Sequence, residues 1–225
     1  MLSAGFTNIQ AQNSLLEGAD SLFMDQKYTQ AYSIYDSIFE EGLASPGMLL
    51  KMAFIQDASG SYERALYFLD LYYQQTADRS SIEKIEEIAE EYGLSGYAYD
   101  DADFFLALLN KHKSKFMLAI AAILIALVVY IYKKWSANER PLAAFFIQLF
   151  FATCLIMVVN LRPAQKAIIT SNNTLLRDGP SAGAEPVLFV DKGHKVTVLK
   201  RSDLWAKIVW EGEEYYVRNN KLRTI

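Results

Sequence analysis

Side chains able to do covalent or metal chemistry are few in this 225-residue chain, and they stand apart. His112 and His194 are the only histidines, and Cys154 is the only cysteine, so no disulfide can close within the chain. Without a Cys/His cluster, a transition-metal site is not expected. Gly-rich phosphate loops, nucleophile elbows and zinc-protease helices are also missing from the sequence. The adjacent carboxylates Asp100 and Asp101 have no neighbours that suggest a pocket. The residue types therefore point to a non-enzyme with no cofactor and no metal. What they offer instead is non-covalent recognition, by acidic and aromatic side chains at repeat spacing in the first half and by aromatic side chains on alternating segments at the end.

Charge is divided between those regions. Residues 1–110 hold 18 Asp/Glu against 5 Lys/Arg, whereas residues 111–225 hold 8 against 17. Such asymmetry marks modules with different partners, although charge that only keeps the acidic half soluble would look the same.

Between the two halves lie two apolar runs. Residues 116–132, "FMLAIAAILIALVVYIY", carry no charge and would span about 26 Å as a helix. Lys111, Lys113 and Lys115 precede the run and Lys133 and Lys134 follow it, while Tyr130, Tyr132 and Trp135 form an interfacial belt. The second run, 142–159, is entered through Pro141 and is equally apolar. Two spans joined by the short stretch "KKWSANERP" make a transmembrane α-hairpin over 111–163. Ala144, Gln148 and Ala152 share one helical face, as do Ala122 and Ala126, and small residues at that spacing allow close helix pairing. A pore lined by Gln148 is the other reading, disfavoured by the lack of intramembrane charge.

Over 13–110 the chain matches itself at an offset of 34: Leu15 with Leu49, Ala19 with Ala53, Tyr28 with Tyr62, Ala31 with Ala65 and Tyr35 with Leu69. "GADSLFMDQKYTQAYSIYDSI" and "MAFIQDASGSYERALYFLDLYY" resemble the tetratricopeptide (TPR) helix–turn–helix repeat, departing from it at Gln56. A further helix is expected from a Ser80–Glu83 capping box, with Ile82, Ile85, Ile88, Ala89 and Tyr92 on one face and Gly93 at its end. No Gly or Pro occurs from 97 to 140, so one helix can run from about Asp101 through the first apolar span. The TPR resemblance implies a peptide groove faced by Leu16, Asp20, Phe23, Leu50, Phe54 and Asp57. The acidic surroundings suggest a basic amphipathic ligand, external or the chain's own basic C-terminal module. Alternatively, these residues pack between repeats or face solvent.

From 164 to 225 short alternating runs, "AIIT", "TLLR", "PVLFV", "KVTVLKR", "LWAKIVW", "EEYYV" and "LRTI", are separated by turn residues, which suggests a small all-β barrel. "LLRDGPS", Gly193 with "KVTVL", and "LWAKIVWEGEEYYV" resemble a bacterial SH3 domain. That resemblance implies peptide or cell-wall (peptidoglycan) binding on aromatic residues, with Trp205, Trp210, Tyr215 and Tyr216 as candidates. Some of these must fill the barrel, leaving at most two for a ligand. Ten Lys/Arg against seven Asp/Glu in this segment are too sparse a basic stripe for nucleic acid.

The flanks of the hairpin hold Lys111, Lys113, Lys115, Arg162 and Lys166, against Lys133, Lys134 and Arg140 in the loop, a bias that places both modules in the cytoplasm. Against this, bacterial SH3 modules are commonly extracytoplasmic, and residues 1–12 resemble the end of a cleaved signal peptide. The reading adopted is a multi-pass bacterial inner-membrane protein with both modules in the periplasm. TPR repeats, two spans and an SH3 domain in that order resemble the BatE proteins of bacterial aerotolerance operons. The resemblance implies a scaffold in the cell envelope, working beside von Willebrand-type membrane proteins. A peptidoglycan-binding sensor is the leading alternative.

Overall fold

The computed structural model describes residues 14–160 and 164–225; the segment resembling a signal remnant and Arg162 lie outside them. The described residues begin with five helices: α1 at 14–24, then α2 (Tyr28–Glu40), α3 (Pro46–Ala58), α4 (Tyr62–Thr76) and α5 (Arg79–Glu91). Ser45 caps α3, its side chain accepting from the Met48 N–H, and Pro46 fills a first-turn position where no donor is lost. The expected capping box at Ser80 gives way to Asp78, whose carboxylate accepts from the Ser80 N–H and starts α5 at Arg79. A carboxylate in a charge-assisted bond with a helix N-terminus is the stronger cap.

The core of this module combines small residues with large ones such as Tyr35 and Phe68. Ala19, Ala31, Ala65 and Leu49 are fully buried, with Ala53 and Leu69 nearly so, whereas Leu15 stays half exposed at the first helix. α3 has no polar face: it buries Met48, Leu49, Met52, Ala53 and Ile55 and still exposes Leu50 and Phe54. Ala65→Leu should overpack the α3–α4 contact and destabilise the protein by about 1–3 kcal/mol. Thermal unfolding of the detergent-solubilised chain measures this, and an unchanged midpoint would contradict the packing.

Residues 102–163 form a second compact unit. In it α6 (Asp101–Ser136) is one unbroken helix of 36 residues, about 54 Å long, and α7 (Leu142–Asn160) returns after a short turn. The expected boundary at 110 therefore falls inside α6. Both helices are long and apolar enough to cross a membrane, and their apolar windows are 0% and 6% buried, the reverse of a core helix in a soluble protein. Near the open end Lys113 donates to the Val159 carbonyl. Ala144 is buried, and Gln148 and Ala152 are partly covered, along one face of α7. Ala122 and Ala126, expected at a close helix contact, are exposed instead; the covered stripe of α6 runs through Ala121, Leu124 and Leu127.

The C-terminal strands are β1 (Gln165–Ile169), β2 (Thr174–Arg177), β3 (Pro186–Val190), β4 (Lys195–Arg201), β5 (Trp205–Trp210), β6 (Glu213–Arg218) and β7 (Leu222–Thr224). They form one antiparallel sheet in the order β3-β2-β6-β5-β4-β1-β7. Register shifts at Val198/Lys200 and Leu176/Arg177 allow the sheet to bend over its core of Ala167, Ile169, Leu176, Val196, Ala206, Ile208 and Val217. This β-module belongs to the same compact unit as the five helices.

Candidate interaction sites

The six acidic and apolar residues singled out on the first helices lie on α1 and α3. Phe23 and Phe54 meet edge to face at 5.7 Å, and Tyr28 joins both at 5.4 and 5.7 Å. Leu50 is 46% and Phe54 51% exposed, while Leu16 and Phe23 are partly covered. Leu50, Ala53, Phe54, Asp57, Leu69 and Lys84 line a shallow cavity of about 160 Å³. Neither acid is without a partner. Lys51 lies 2.6 Å from Asp20, and Lys84 lies 3.4 Å from Asp57. Burial alone would raise the Asp20 carboxyl, but hydrogen bonds from Lys51 and Tyr35 hold it below its ordinary value. With both acids matched by lysines of the same chain, apolar rings rather than net negative charge define this surface.

On the sheet, strand alternation sorts the four candidate aromatics. Trp210 and Tyr215 lean on the core cluster. Trp205 and Tyr216 stand on the other face, directly opposite Arg218 and Lys207 respectively. Arg218 lies over the Trp205 ring, 5.6 Å from its centre. All four rings are partly covered. Only the outward pair has the orientation a surface ligand needs.

A third set of residues joins the helical module to the β-module. Lys195, at the start of β4, places its ammonium 2.8 Å from the Asp70 carboxylate of α4, and both side chains are 2–3% exposed. The Tyr99 hydroxyl donates to Asp70 at 2.6 Å and accepts from Lys195 at 2.7 Å. The Tyr97 hydroxyl donates to the Gly193 carbonyl at 2.6 Å. Burial, reinforced by the Asp70 charge, pushes both phenols well above their ordinary value, so they remain donors. Further out, Lys192 bridges to Glu63 and covers the Tyr62 ring, which stacks on Tyr92 at 4.2 Å. The chain segment just before α6 is bound here through its backbone: Lys195 N–H donates to the Ser95 carbonyl, and Ser95 N–H donates to His194 Nδ1. The basic β-module thus does meet the acidic helices, but at Asp70 and not on the Leu50/Phe54 surface.

Two signals for this contact were present in the sequence. Asp70 is a lone carboxylate within the apolar run "YFLDLYY", and "YAYD" alternates aromatics just before a helix. A buried acid calls for a cation, but many lysines were equally available. Among the described residues, no cluster of three or more His, Cys, Asp or Glu could hold a metal ion.

Residues 173–222 match the bacterial SH3 domain family. That segment carries β2 to β6 and with them Lys195, His194 and all four candidate aromatics. No curated protein and no solved structure matched the chain.

Proposed function

We propose that this chain is a non-enzymatic, membrane-anchored scaffold that joins envelope proteins through its helical module, with the SH3 domain fixed beside it. The observation that carries this reading is the exposed Leu50/Phe54 surface, an apolar patch on an otherwise acidic and soluble module. The 34-residue spacing of buried alanines supports TPR-like packing, whose groove is this surface. The seam supports a hairpin topology: helices and SH3 domain flank the two apolar helices in sequence yet share one compact unit, as two modules on one side of a bilayer would. The order of parts agrees with the resemblance to BatE proteins, and with it come the periplasmic orientation and the von Willebrand-type membrane partners.

Leu50→Asp with Phe54→Asp should remove the apolar anchor. Loss of anchors of this kind costs about 2 kcal/mol or more, roughly a thirtyfold drop in affinity. Quantitative affinity capture from solubilised membranes, comparing wild type with the double variant, reads this out. Proteins retained by the wild type and lost by a variant of unchanged thermal stability support the scaffold; identical sets refute it.

A second reading, a cell-wall sensor, draws on the bacterial SH3 match and the outward pair Trp205 and Tyr216. Co-sedimentation with purified wall sacculi, abolished by Trp205→Ala but not by the helical double variant, would favour it over the first.

A further inference from the structure

We propose that His194 makes the contact between the SH3 domain and the pre-membrane segment pH-sensitive, so that mild acid loosens residues 95–99 from the sheet. The geometry rests on which atom does the accepting. A backbone N–H can only donate, and the Ser95 N–H points at His194 Nδ1 at 3.0 Å, so Nδ1 must carry a lone pair and no proton. Protonation there sets two donors against each other. Imidazole is the side chain whose ordinary value lies between pH 5 and 8.

The ring is held so that it cannot simply turn away. Its edge packs against Trp210 at 5.6 Å between ring centres, and its backbone carbonyl accepts from Ile169 N–H. From the β5–β6 turn Glu211 faces it, though that carboxylate already accepts from the Ser95 hydroxyl at 2.8 Å. Asp191 lies before it in its own loop. Lys192 and Lys195 flank it in sequence, committed to Glu63 and Asp70 on α4. From the helical side, Ser95 itself and Tyr97 complete the surroundings. A cavity of about 310 Å³ lined by Ser95, Gly96, Lys166, Thr197, Trp210 and Glu211 adjoins the contact, giving water a route to it.

Burial lowers the imidazole below its ordinary value, against the opposite pull of Glu211 and Asp191. The sign follows from linkage. The docked state binds fewer protons than the undocked one, so docking is fully favoured above the ordinary histidine value. It weakens as pH falls below that value and levels off beneath the docked one. Loss of one neutral hydrogen bond corresponds to about a fivefold change in local opening. The buried Lys195–Asp70 pair holds the rest of the seam, so the response is local to the segment that leads into α6. This inference does not depend on the scaffold reading, because it concerns contacts within the chain alone.

The test is hydrogen–deuterium exchange on the full detergent-solubilised chain at about pH 7.5 and about pH 5.5, corrected for intrinsic rates at each pH. Protection of residues 95–99 should fall about fivefold in the wild type. It should fall equally in His112→Asn, which removes the other histidine. It should stay constant in His194→Asn, whose amide oxygen can accept from Ser95 but does not titrate. Constant protection in the wild type, or the same fall in His194→Asn, would overturn the proposal. Nitrogen-15 shifts of labelled histidines in the wild type give a variant-free check. His194 must gain its Nδ1 proton over the same interval in which protection falls, and a ring that stays neutral throughout sinks the idea.

Discussion

Lys195→Ala is expected to be the most damaging single charge removal outside the apolar helices. It leaves the Asp70 carboxylate at 2% exposure, with the Tyr99 hydroxyl as its remaining hydrogen-bond donor among the described residues. Breaking one partner of a buried pair costs about 3–5 kcal/mol, because the survivor remains buried and uncompensated. In the wild type, helical circular dichroism and tryptophan fluorescence should report one coincident unfolding transition. In Lys195→Ala they should separate, with the SH3 domain released from helices that can still pack on each other. Lys195→Met combined with Asp70→Leu should recover most of the loss, since the penalty lies in the orphaned charge more than in the missing attraction. A Lys195→Ala midpoint within experimental error of the wild type would mean that the ion pair does not hold the modules together.

Gly96→Ala should open the same seam from the backbone side. Gly96 has φ +93°, and a Cβ there would lie 2.1 Å from the Lys195 carbonyl oxygen, a backbone atom with nowhere to retreat. Left-handed strain and the displaced carbonyl together should cost on the order of 3 kcal/mol. Gly42→Ala is the matched control. It has φ +83° but nothing within 4 Å of the added carbon, so only the strain of about 1–2 kcal/mol applies. Unfolding midpoints of the two variants give the comparison, and equal losses would show that close approach at Gly96 is not what matters.

These two sites show where sequence reasoning reached and where it stopped. Strands follow from alternation, and all seven alternating runs form strands because side-chain period and turn residues agree locally. The Glu211-Gly212 turn, with both residues at positive φ, needs no distant partner to be recognised. The unbroken α6 follows from the absence of Gly and Pro. By contrast, the pairing of Asp70 with Lys195 joins residues far apart in sequence, and nothing local distinguishes Lys195 from its neighbours. The matching of Asp20 by Lys51 and of Asp57 by Lys84 was hidden for the same reason, and net charge overstated how acidic the Leu50/Phe54 surface is. Ala122 and Ala126 mislead because spacing alone does not fix which side of a uniformly apolar helix is covered.

The proposed scaffold requires that the two apolar helices cross a bilayer as a hairpin, with both modules on the same side. Single cysteines at Thr29, Lys200 and Ala137, each in a Cys154→Ala background, test it directly; the first two are exposed positions on the helical module and the SH3 domain. An impermeant thiol reagent added to cells whose outer barrier admits it should label Thr29→Cys and Lys200→Cys together. Ala137→Cys, in the turn between α6 and α7, should react only after the membrane is opened. Labelling of Thr29→Cys and Lys200→Cys from opposite sides, or of all three from the same side, would contradict the account.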